Sequence, residues 1–339
     1  MMQKVAVIIL NWNGEKLLRE FLPSVVRNTN PRLGKVIVVD NHSTDGSWKC
    51  LEREFPDVER IAFDENYGFA GGYNRAIADR KEEFVVLLNS DVEVAEGWLE
   101  PLVEVLEGNE RVVAVQPKVL AYRDKGRFEY AGACGGYIDR LGFPFCRGRV
   151  MDCTELDSGQ YDDEAEIFWA TGAALCIRRE AYLEAGGLDE AFFAHMEEID
   201  LCWRLKNEGW ALRVVPRSRV YHLGGGSLPM NHPRKLFLNY RNNLLMLYKN
   251  LTPATGRRVL FVRFWMDMLA AGLFLVKGEW GNVKSVFRAY RDFRRMKRNY
   301  RPAAVSRKVA GVYRGSIVLD YFLWRKKKFM QLHFNTKGE

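Results

Sequence analysis

Short runs of β-branched and aliphatic residues alternate with longer amphipathic segments along the first third of the chain. Residues 5–10 (VAVIIL) and 36–40 (VIVVD) are apolar on both faces and run into polar turns, as strands buried within a parallel sheet do. Between them, residues 15–28 place Leu17, Leu18, Phe21, Leu22, Val25 and Val26 at the recurrence of an amphipathic helix. The pattern continues with a helix over 47–54, a strand over 58–63, a helix over 70–81 and a fully buried strand over 84–88. This alternation predicts an α/β architecture: a Rossmann-like, doubly wound, mostly parallel sheet that takes ligands at the carboxyl ends of its strands. After about His222 the strand pattern stops, and 236–248, 257–277 and 284–300 read as helices. The run Gly224-Gly225-Gly226 breaks the pattern. It places a boundary between an α/β domain over 1–228 and a helical region over 229–339.

Composition changes this picture in one respect. The 339 residues are 47% hydrophobic and 28% charged, which fits a folded protein, but the net charge of +8 conceals an asymmetry. From Pro233 onward there are 24 Lys+Arg against 5 Asp+Glu, whereas residues 1–232 carry a net charge of −11. A basic region of this kind attracts nucleic acid, anionic lipid or acidic partners alike, so its sign does not choose among them. The six cysteines form no CxxC pair and no zinc-spaced cluster, which fits a reducing, cytosolic setting. The apolar run 5–10 is too short for a secretory signal, so export by that route is not expected.

Every strand end of the expected sheet delivers polar groups: Asn11 and Asn13, then Asp40-Asn41, then Asn66-Tyr67-Gly68, then Asn89-Ser90-Asp91. Four such clusters would line one crevice. A carboxylate placed like Asp40 can accept hydrogen bonds from a nucleoside base or ribose, although Asp and Asn also favour caps and turns there. Neither the dinucleotide GxGxxG nor the P-loop spacing is present, which disfavours a Rossmann dehydrogenase and a P-loop enzyme. Asp91 after a buried strand can coordinate a hard divalent cation whose open positions take phosphate oxygens. More specific is the stretch 186–204, where Glu197, Glu198 and Asp200 stand within four residues. Packing three carboxylates together is unfavourable unless a cation or raised pKa values compensate, and the helix macrodipole would account for one or two of them at most.

Taken together, these motifs resemble the family 2 glycosyltransferases of GT-A fold, and within them the rhamnosyltransferase-like bacterial branch that builds surface polysaccharides. The resemblance covers about the first 225 residues. It rests on Asn11-Trp12-Asn13, Val39-Asp40-Asn41 with Ser43 and Asp45-Gly46-Ser47, Asn66 to Ala70, Asn89-Ser90-Asp91, Gly172-Ala173 with Arg178-Arg179, Phe192 to Arg204, and His222. It implies that Asp40 holds the nucleoside, with Asn11, Asn13, Asn66, Gly68 and Asn89 shaping the nucleotide pocket. It further implies that Asp91 and His222 hold Mn²⁺ or Mg²⁺ on the diphosphate. Glu198 is then the expected catalytic base, with Glu197 as its alternate and Asp200 as an orienting or structural carboxylate. Adjacent residues at a helix start point about 100° apart, so Glu197 and Glu198 cannot both face one acceptor hydroxyl. Two positions depart from the family pattern: Asn89 replaces the first Asp of the DxD-like triplet, and Glu197-Glu198 replaces the usual Glu-Asp pair.

The expected activity is that of an inverting, metal-dependent glycosyltransferase. The donor would be a nucleoside-diphosphate sugar, dTDP- or UDP-linked and carrying rhamnose or another deoxysugar, and the acceptor a glycan or a lipid-linked sugar. A non-catalytic nucleotide-sugar or carbohydrate-binding protein is the alternative, and the acidic trio counts against it. Nucleic acid is not an expected partner, because the basic residues are interleaved with aliphatic and aromatic ones rather than set in a groove-reading motif. Trp169, Tyr137, His195 and Trp203 are candidates for the acceptor side or, equally, for core or lid packing.

The basic region is expected to lie on an anionic membrane surface without crossing it, which makes the protein cytoplasmic and peripheral at the inner face of the cell membrane. Residues 259–276 contain Arg263 and Asp267; ten Leu, Phe and Val residues contribute roughly −3 to −6 kcal/mol to insertion, and the two central charges cost roughly +5 to +7. The expected lipid contact is the stripe Val286, Phe287, Tyr290, Phe293 and Met296 with its flanking arginines, together with Tyr321 to Trp324 before a run of Arg and Lys. A packing surface for the catalytic domain or for a second copy in a homo-oligomer is the other use of the same stripe.

Overall fold

The computed structural model describes residues 3–224, 233–305, 307 and 309–333. The expected boundary at 228/229 and the glycines at 225 and 226 lie outside the described residues. The first half of the α/β part runs β1 (Val5–Asn11), α1 (Glu15–Asn28), β2 (Gly34–Asp40), α2 (Ser47–Glu54), β3 (Glu59–Ala62), α3 (Gly68–Ala78), β4 (Phe84–Asn89), β5 (Val92–Val94) and α4 (Glu100–Gly108). It continues through β6 (Val112–Ala121), β7 (Asp124–Phe128), β8 (Gly136–Asp139), β9 (Pro144–Cys146), β10 (Arg149–Val150), β11 (Cys153–Thr154), β12 (Ala165–Ile167) and β13 (Ala174–Arg178). Then follow α5 (Arg179–Glu184), α6 (Glu197–Glu208), β14 (Ala211–His222), α7 (Pro233–Asn250), α8 (Pro253–Val276), α9 (Trp280–Met296), β15 (Val312–Tyr313) and α10 (Ile317–Phe322).

The main sheet has the order β12-β14-β6-β13-β4-β1-β2-β3, with β5 on β14 and β7 on β6. Its β3-β2-β1-β4 block is parallel, as the alternating pattern requires, and β14 is parallel to β6. β13 enters antiparallel between β4 and β6, so the sheet is parallel-rich and mixed. Side chains alternate across it: Val5, Val7 and Ile9 join a core with α1 and α4, while Ala6 and Ile8 join the main core with α3 on the opposite face. Both faces are covered, which is why these strands read as continuous apolar runs.

Two expectations change. Strands do not stop at His222: β15, from the C-terminal region, pairs in parallel with β8 and completes a second sheet, β11-β10-β9-β8-β15. Strands of two to four residues are too short to show a period. The stripe on α9 is also not free for lipid. Val286 and Phe293 are buried and Tyr290 and Met296 pack against the main core, leaving Phe287 exposed. The stripe serves mainly intramolecular packing of α9 on α7 and α8.

Candidate active site

The in-register parallel pairing of β1 with β2 sets Asn11 beside Asp40, and the pairing of β1 with β4 sets Leu10 beside Asn89. Asp40 is buried; its Oδ1 accepts from Asn11 Nδ2 (3.2 Å) and its Oδ2 from the Ser43 amide (3.1 Å). A carboxylate has about four acceptor positions, so Asp40 retains capacity for a ligand donor. Asn11 Oδ1 beside it is buried without a partner, a second acceptor in the same pocket. Asn13 closes the turn by accepting from the Thr44 amide (2.7 Å). Asn41, which the family motif includes, bridges to the third cluster: its Nδ2 donates to Asn66 Oδ1 and to the Gly68 carbonyl, both at 3.0 Å. Gly68 opens α3 at φ +69, a conformation a side chain would strain. Asn11, Asn13, Asp40, Asn66 and Gly68 thus form one connected network beyond the carboxyl ends of β1 and β2.

The antiparallel pairing of β5 with β14 sets His222 opposite Val92 and so next to Asp91. His222 Nε2 stands 3.2 Å from Asp91 Oδ1, and both residues are buried. Burial would raise the Asp91 pKa, but the hydrogen bond and charge of His222 hold it below the usual carboxylate range. Two donors about 2.1 Å from one octahedral ion and at right angles to each other stand about 3.0 Å apart. The Asp91–His222 separation is close to that edge, and a carboxylate with an imidazole is a donor pair suited to Mn²⁺. A divalent ion held by the pair would replace the hydrogen bond between them, and since no group of three or more His, Cys, Asp or Glu able to hold a metal occurs among the described residues, diphosphate and water would have to complete its shell. On the other side of the ring, Glu129 Oε2 lies 3.4 Å from His222 Nδ1, outside hydrogen-bond geometry yet nearest to an otherwise unpartnered buried nitrogen. Burial alone would lower the His222 pKa; the carboxylates of Glu129 and Asp91 outweigh it and raise the metal-free imidazole to about 10. Glu129 was not legible in the sequence. It is held there by the β6–β7 hairpin, through its amide to the Val119 carbonyl (3.0 Å).

Glu197 and Glu198 open α6, and one oxygen of each is buried without a partner. Burial raises Glu198 to about 7, and burial followed by the Glu198 charge raises Glu197 as well. Glu197 is the more enclosed of the two, at 4% exposure. Glu198 lies beside Gly172 and Phe69: a Cβ on Gly172 would stand 3.8 Å from the Glu198 Cβ and 3.3 Å from the Phe69 ring. The next residue, Ala173, accepts from the Asn89 amide (3.0 Å), so the acidic helix start and the Asn89-Ser90-Asp91 triplet share one rim. Asp200 is different. It is fully buried, with Oδ2 accepting from Arg204 (2.9 Å) and Lys249 (2.8 Å) and Oδ1 from Asn250 (2.8 Å), an anchor between α6 and α7.

The loop before α6 is backbone-strained. Phe193, His195 and Met196 all have φ between 66 and 73, a region that non-glycine residues occupy at a cost of about 1–3 kcal/mol each. What holds it is Asn242 on α7, fully buried, whose Nδ2 contacts the carbonyls of Phe192 (2.9 Å), Ala194 (2.8 Å) and His195 (2.7 Å). Arg241 adds bonds to the Ala191 (3.1 Å) and Phe192 (2.9 Å) carbonyls. His195 lies in this loop, where burial and then the Lys235 charge push it down to about 4, so the imidazole is neutral at pH 7. The other acceptor-side candidates, Trp169, Tyr137 and Trp203, are buried in the main core. Arg178, at the far end of β13, ties to the Val112 carbonyl (3.2 Å), away from this rim.

Residues 6–146 match the family model of glycosyl transferase family 2. An N-acetylglucosaminyl-diphospho-decaprenol L-rhamnosyltransferase of Mycobacterium tuberculosis is 27% identical over 259 residues, covering 71% of this chain and 83% of the relative. The O-antigen biosynthesis protein RfbC of Myxococcus xanthus is 27% identical over 225 residues, which span 65% of this chain but only 17% of that protein. Among solved structures, S. aureus TarS 1-349 in complex with UDP-GlcNAc superposes with a TM-score of 0.57 at 16% identity, over 86% of this chain and 80% of that one. GalNAc-T7 with UDP, GalNAc and Mn²⁺ does so with a TM-score of 0.56 at 17% identity, over 73% and 48%. The sheet order, the strand-end network and these likenesses agree: the chain is a glycosyltransferase of GT-A fold whose residues 6–146 match family 2 and whose sequence is similar to the mycobacterial rhamnosyltransferase.

Proposed function

We propose that the chain is an inverting, divalent-metal-assisted glycosyltransferase. In this reading it moves a sugar, rhamnose or another deoxysugar, from a dTDP- or UDP-linked donor to a glycan or lipid-linked acceptor in surface-polysaccharide synthesis. The observation that carries the reading is the shared rim, on which the Asp91–His222 pair and Glu198, with one carboxylate oxygen buried and unpartnered, are joined through Asn89, Ala173 and Gly172. Asp40 and the free Asn11 Oδ1 accept from the nucleoside. Asp91 and His222 would hold Mn²⁺ or Mg²⁺, which would supply Lewis-acid charge to offset the diphosphate that leaves. Glu198 takes the proton of the acceptor hydroxyl as that oxygen attacks the anomeric carbon from the face opposite the diphosphate, so the configuration inverts.

A lipid-linked acceptor is favoured by the name of the mycobacterial relative, which specifies a diphospho-decaprenol compound. Mn²⁺ is favoured over Mg²⁺ by the imidazole ligand and by its presence in the GalNAc-T7 structure. A binding-only protein would have no use for two adjacent carboxyls each with a buried, unpartnered oxygen, a costly arrangement that a general base accounts for. Association with the cytoplasmic face of the membrane belongs to the same reading, since a lipid-linked acceptor is presented there. The test is a panel of dTDP-, UDP- and GDP-sugars with Mn²⁺, read as nucleoside diphosphate release. Saturable release from one of them is expected, and binding without any turnover, with or without acceptor, favours the non-catalytic alternative.

A further inference from the structure

Helix α8 has its polarity inverted. Its inward face carries Gly256, Arg263, Asp267 and Ala271, all buried. Arg263 donates to the Leu141 carbonyl (3.0 Å) and to Asn243 Oδ1 and lies 3.8 Å from the Phe143 ring centre, while Asp267 accepts from the Tyr290 hydroxyl (2.7 Å). Its outward face is Phe261, Trp265, Leu269, Leu273 and Val276, which are 57–87% exposed. Their spacing of three and four residues makes one continuous apolar stripe, which Trp280 (62% exposed) extends at the start of α9. A helix on a water-soluble surface carries these two faces the other way round. Beside the stripe, α8 and α9 enclose a groove of about 470 Å³, floored by Phe264, Met268 and Phe287 and rimmed by Arg291, Arg294 and Arg295.

We propose that the outward face of α8 and this arginine-rimmed groove are the surface by which the chain docks on an anionic lipid bilayer. The stripe enters the acyl boundary and the guanidinium groups meet the headgroup phosphates. The proposal rests on the membrane reading above and names the surface that performs it. Charge complementarity selects the occupant: the region from Pro233 onward carries a net charge of +19, and exposed arginines border the apolar stripe rather than interrupt it. By length and composition α8 is able to span a membrane, yet the bonds of Arg263 and Asp267 tie one whole side of it to the β8–β9 turn, α7 and α9. It therefore lies in the plane of the interface, as amphipathic docking helices do. The surface is linked to the chemistry through α7, where Asn243 bonds Arg263 and the adjacent Asn242 holds the loop before Glu198.

The experiment is flotation of the full chain with vesicles of phosphatidylcholine, with or without about one-third phosphatidylglycerol, at low salt. Light scattering and thermal melting are run on the same samples. The unaltered chain floats with anionic vesicles. Leu269→Glu/Leu273→Glu lowers its bound-to-free ratio about tenfold or more with the melting curve unchanged, and Arg294→Gln/Arg295→Gln removes the preference for anionic over neutral vesicles. If the unaltered chain does not float, the membrane reading falls and this proposal with it. If the unaltered chain floats and the double Glu variant floats equally well, the membrane reading stands and the assignment to α8 is overturned. If the double Glu variant instead converts a dimer to a monomer with flotation unchanged, the stripe belongs to a second copy of the chain, which also overturns it. Equal discrimination between vesicle types by the double Gln variant removes the groove from the surface.

Discussion

Replacing Glu198 by Gln removes the proposed base with almost no change of shape, and the structure predicts two opposite consequences. Glu198 opens α6 with one carboxylate oxygen unpartnered, and burial raises it from 4.5 to about 7. A positioned general base contributes about 10²–10⁴-fold, so turnover should fall by that factor, equivalent to about 3–5 kcal/mol of barrier. Because the base acts when ionised, kcat/KM of the unaltered enzyme should rise with pH through about 7 and reach only about one-tenth of its plateau at pH 6. Stability moves the other way. Between pH 4.5 and 7 the folded state keeps a proton that the unfolded state has lost, so the contribution of this carboxyl is fully present below about pH 4.5 and declines as pH rises. Above pH 7 its ionisation costs on the order of 3 kcal/mol, a cost that Gln does not carry. The variant should therefore resist urea better than the parent at pH 8, with the difference vanishing near pH 5. Nucleoside diphosphate release and urea melts at the two pH values read both effects. Turnover within twofold of the parent, or a loss of stability equal at pH 5 and pH 8, would refute the reasoning, and an inactive Glu197→Gln beside an active Glu198→Gln would transfer the role to Glu197.

Three further outcomes follow from the same geometry. Asp40→Ala should weaken donor binding by about 1–3 kcal/mol, since a base or ribose donor loses its acceptor; calorimetry showing unchanged affinity would take Asp40 out of the pocket. Glu129→Leu leaves His222 Nδ1 without any nearby acceptor and should weaken Mn²⁺ binding about 10–100-fold, read by paramagnetic resonance titration in the absence of substrate. An unaltered Mn²⁺ affinity would remove Glu129 from the support of the metal site. Asn242→Leu strips the donor from three loop carbonyls and should speed amide exchange over residues 191–197 while leaving β1 and β2 protected; unchanged exchange would mean that α7 is not the clamp.

The parts legible in the sequence are those whose signal is local. Residues 5–10 and 36–40 read as buried parallel strands because both faces of the sheet are covered, and the clustering of Asn11, Asp40 and Asn66 was legible because each ends or follows a strand at the same end of the sheet. Glu129 and Asn242 were not, because their roles depend on partners 93 and 47 residues away or more, His222 and His195, brought close by a hairpin and by helix packing. The second sheet escaped because strands such as Arg149–Val150 and Val312–Tyr313 have only two residues each. The α9 stripe is ambiguous for a related reason: an apolar stripe ringed by arginines reads the same whether lipid or protein covers it, and tertiary packing sets α7 and α8 against all of it but Phe287. The Arg263–Asp267 pair was visible as i, i+4, and its burial reversed the meaning of the helix that carries it.

The central claim is that a divalent ion held by Asp91 and His222 assists transfer of a sugar from a nucleoside diphosphate. The most direct measurement is release of nucleoside diphosphate from the best donor of the panel, with a polyprenyl-diphosphate-linked sugar as acceptor, before and after chelation by EDTA and after Mn²⁺ is restored. The account predicts stoichiometric release and glycosylated acceptor, loss of both on chelation, recovery with Mn²⁺, and no recovery in Asp91→Ala. Full activity in EDTA would contradict it, as would recovery of Asp91→Ala by Mn²⁺ to the level of the parent.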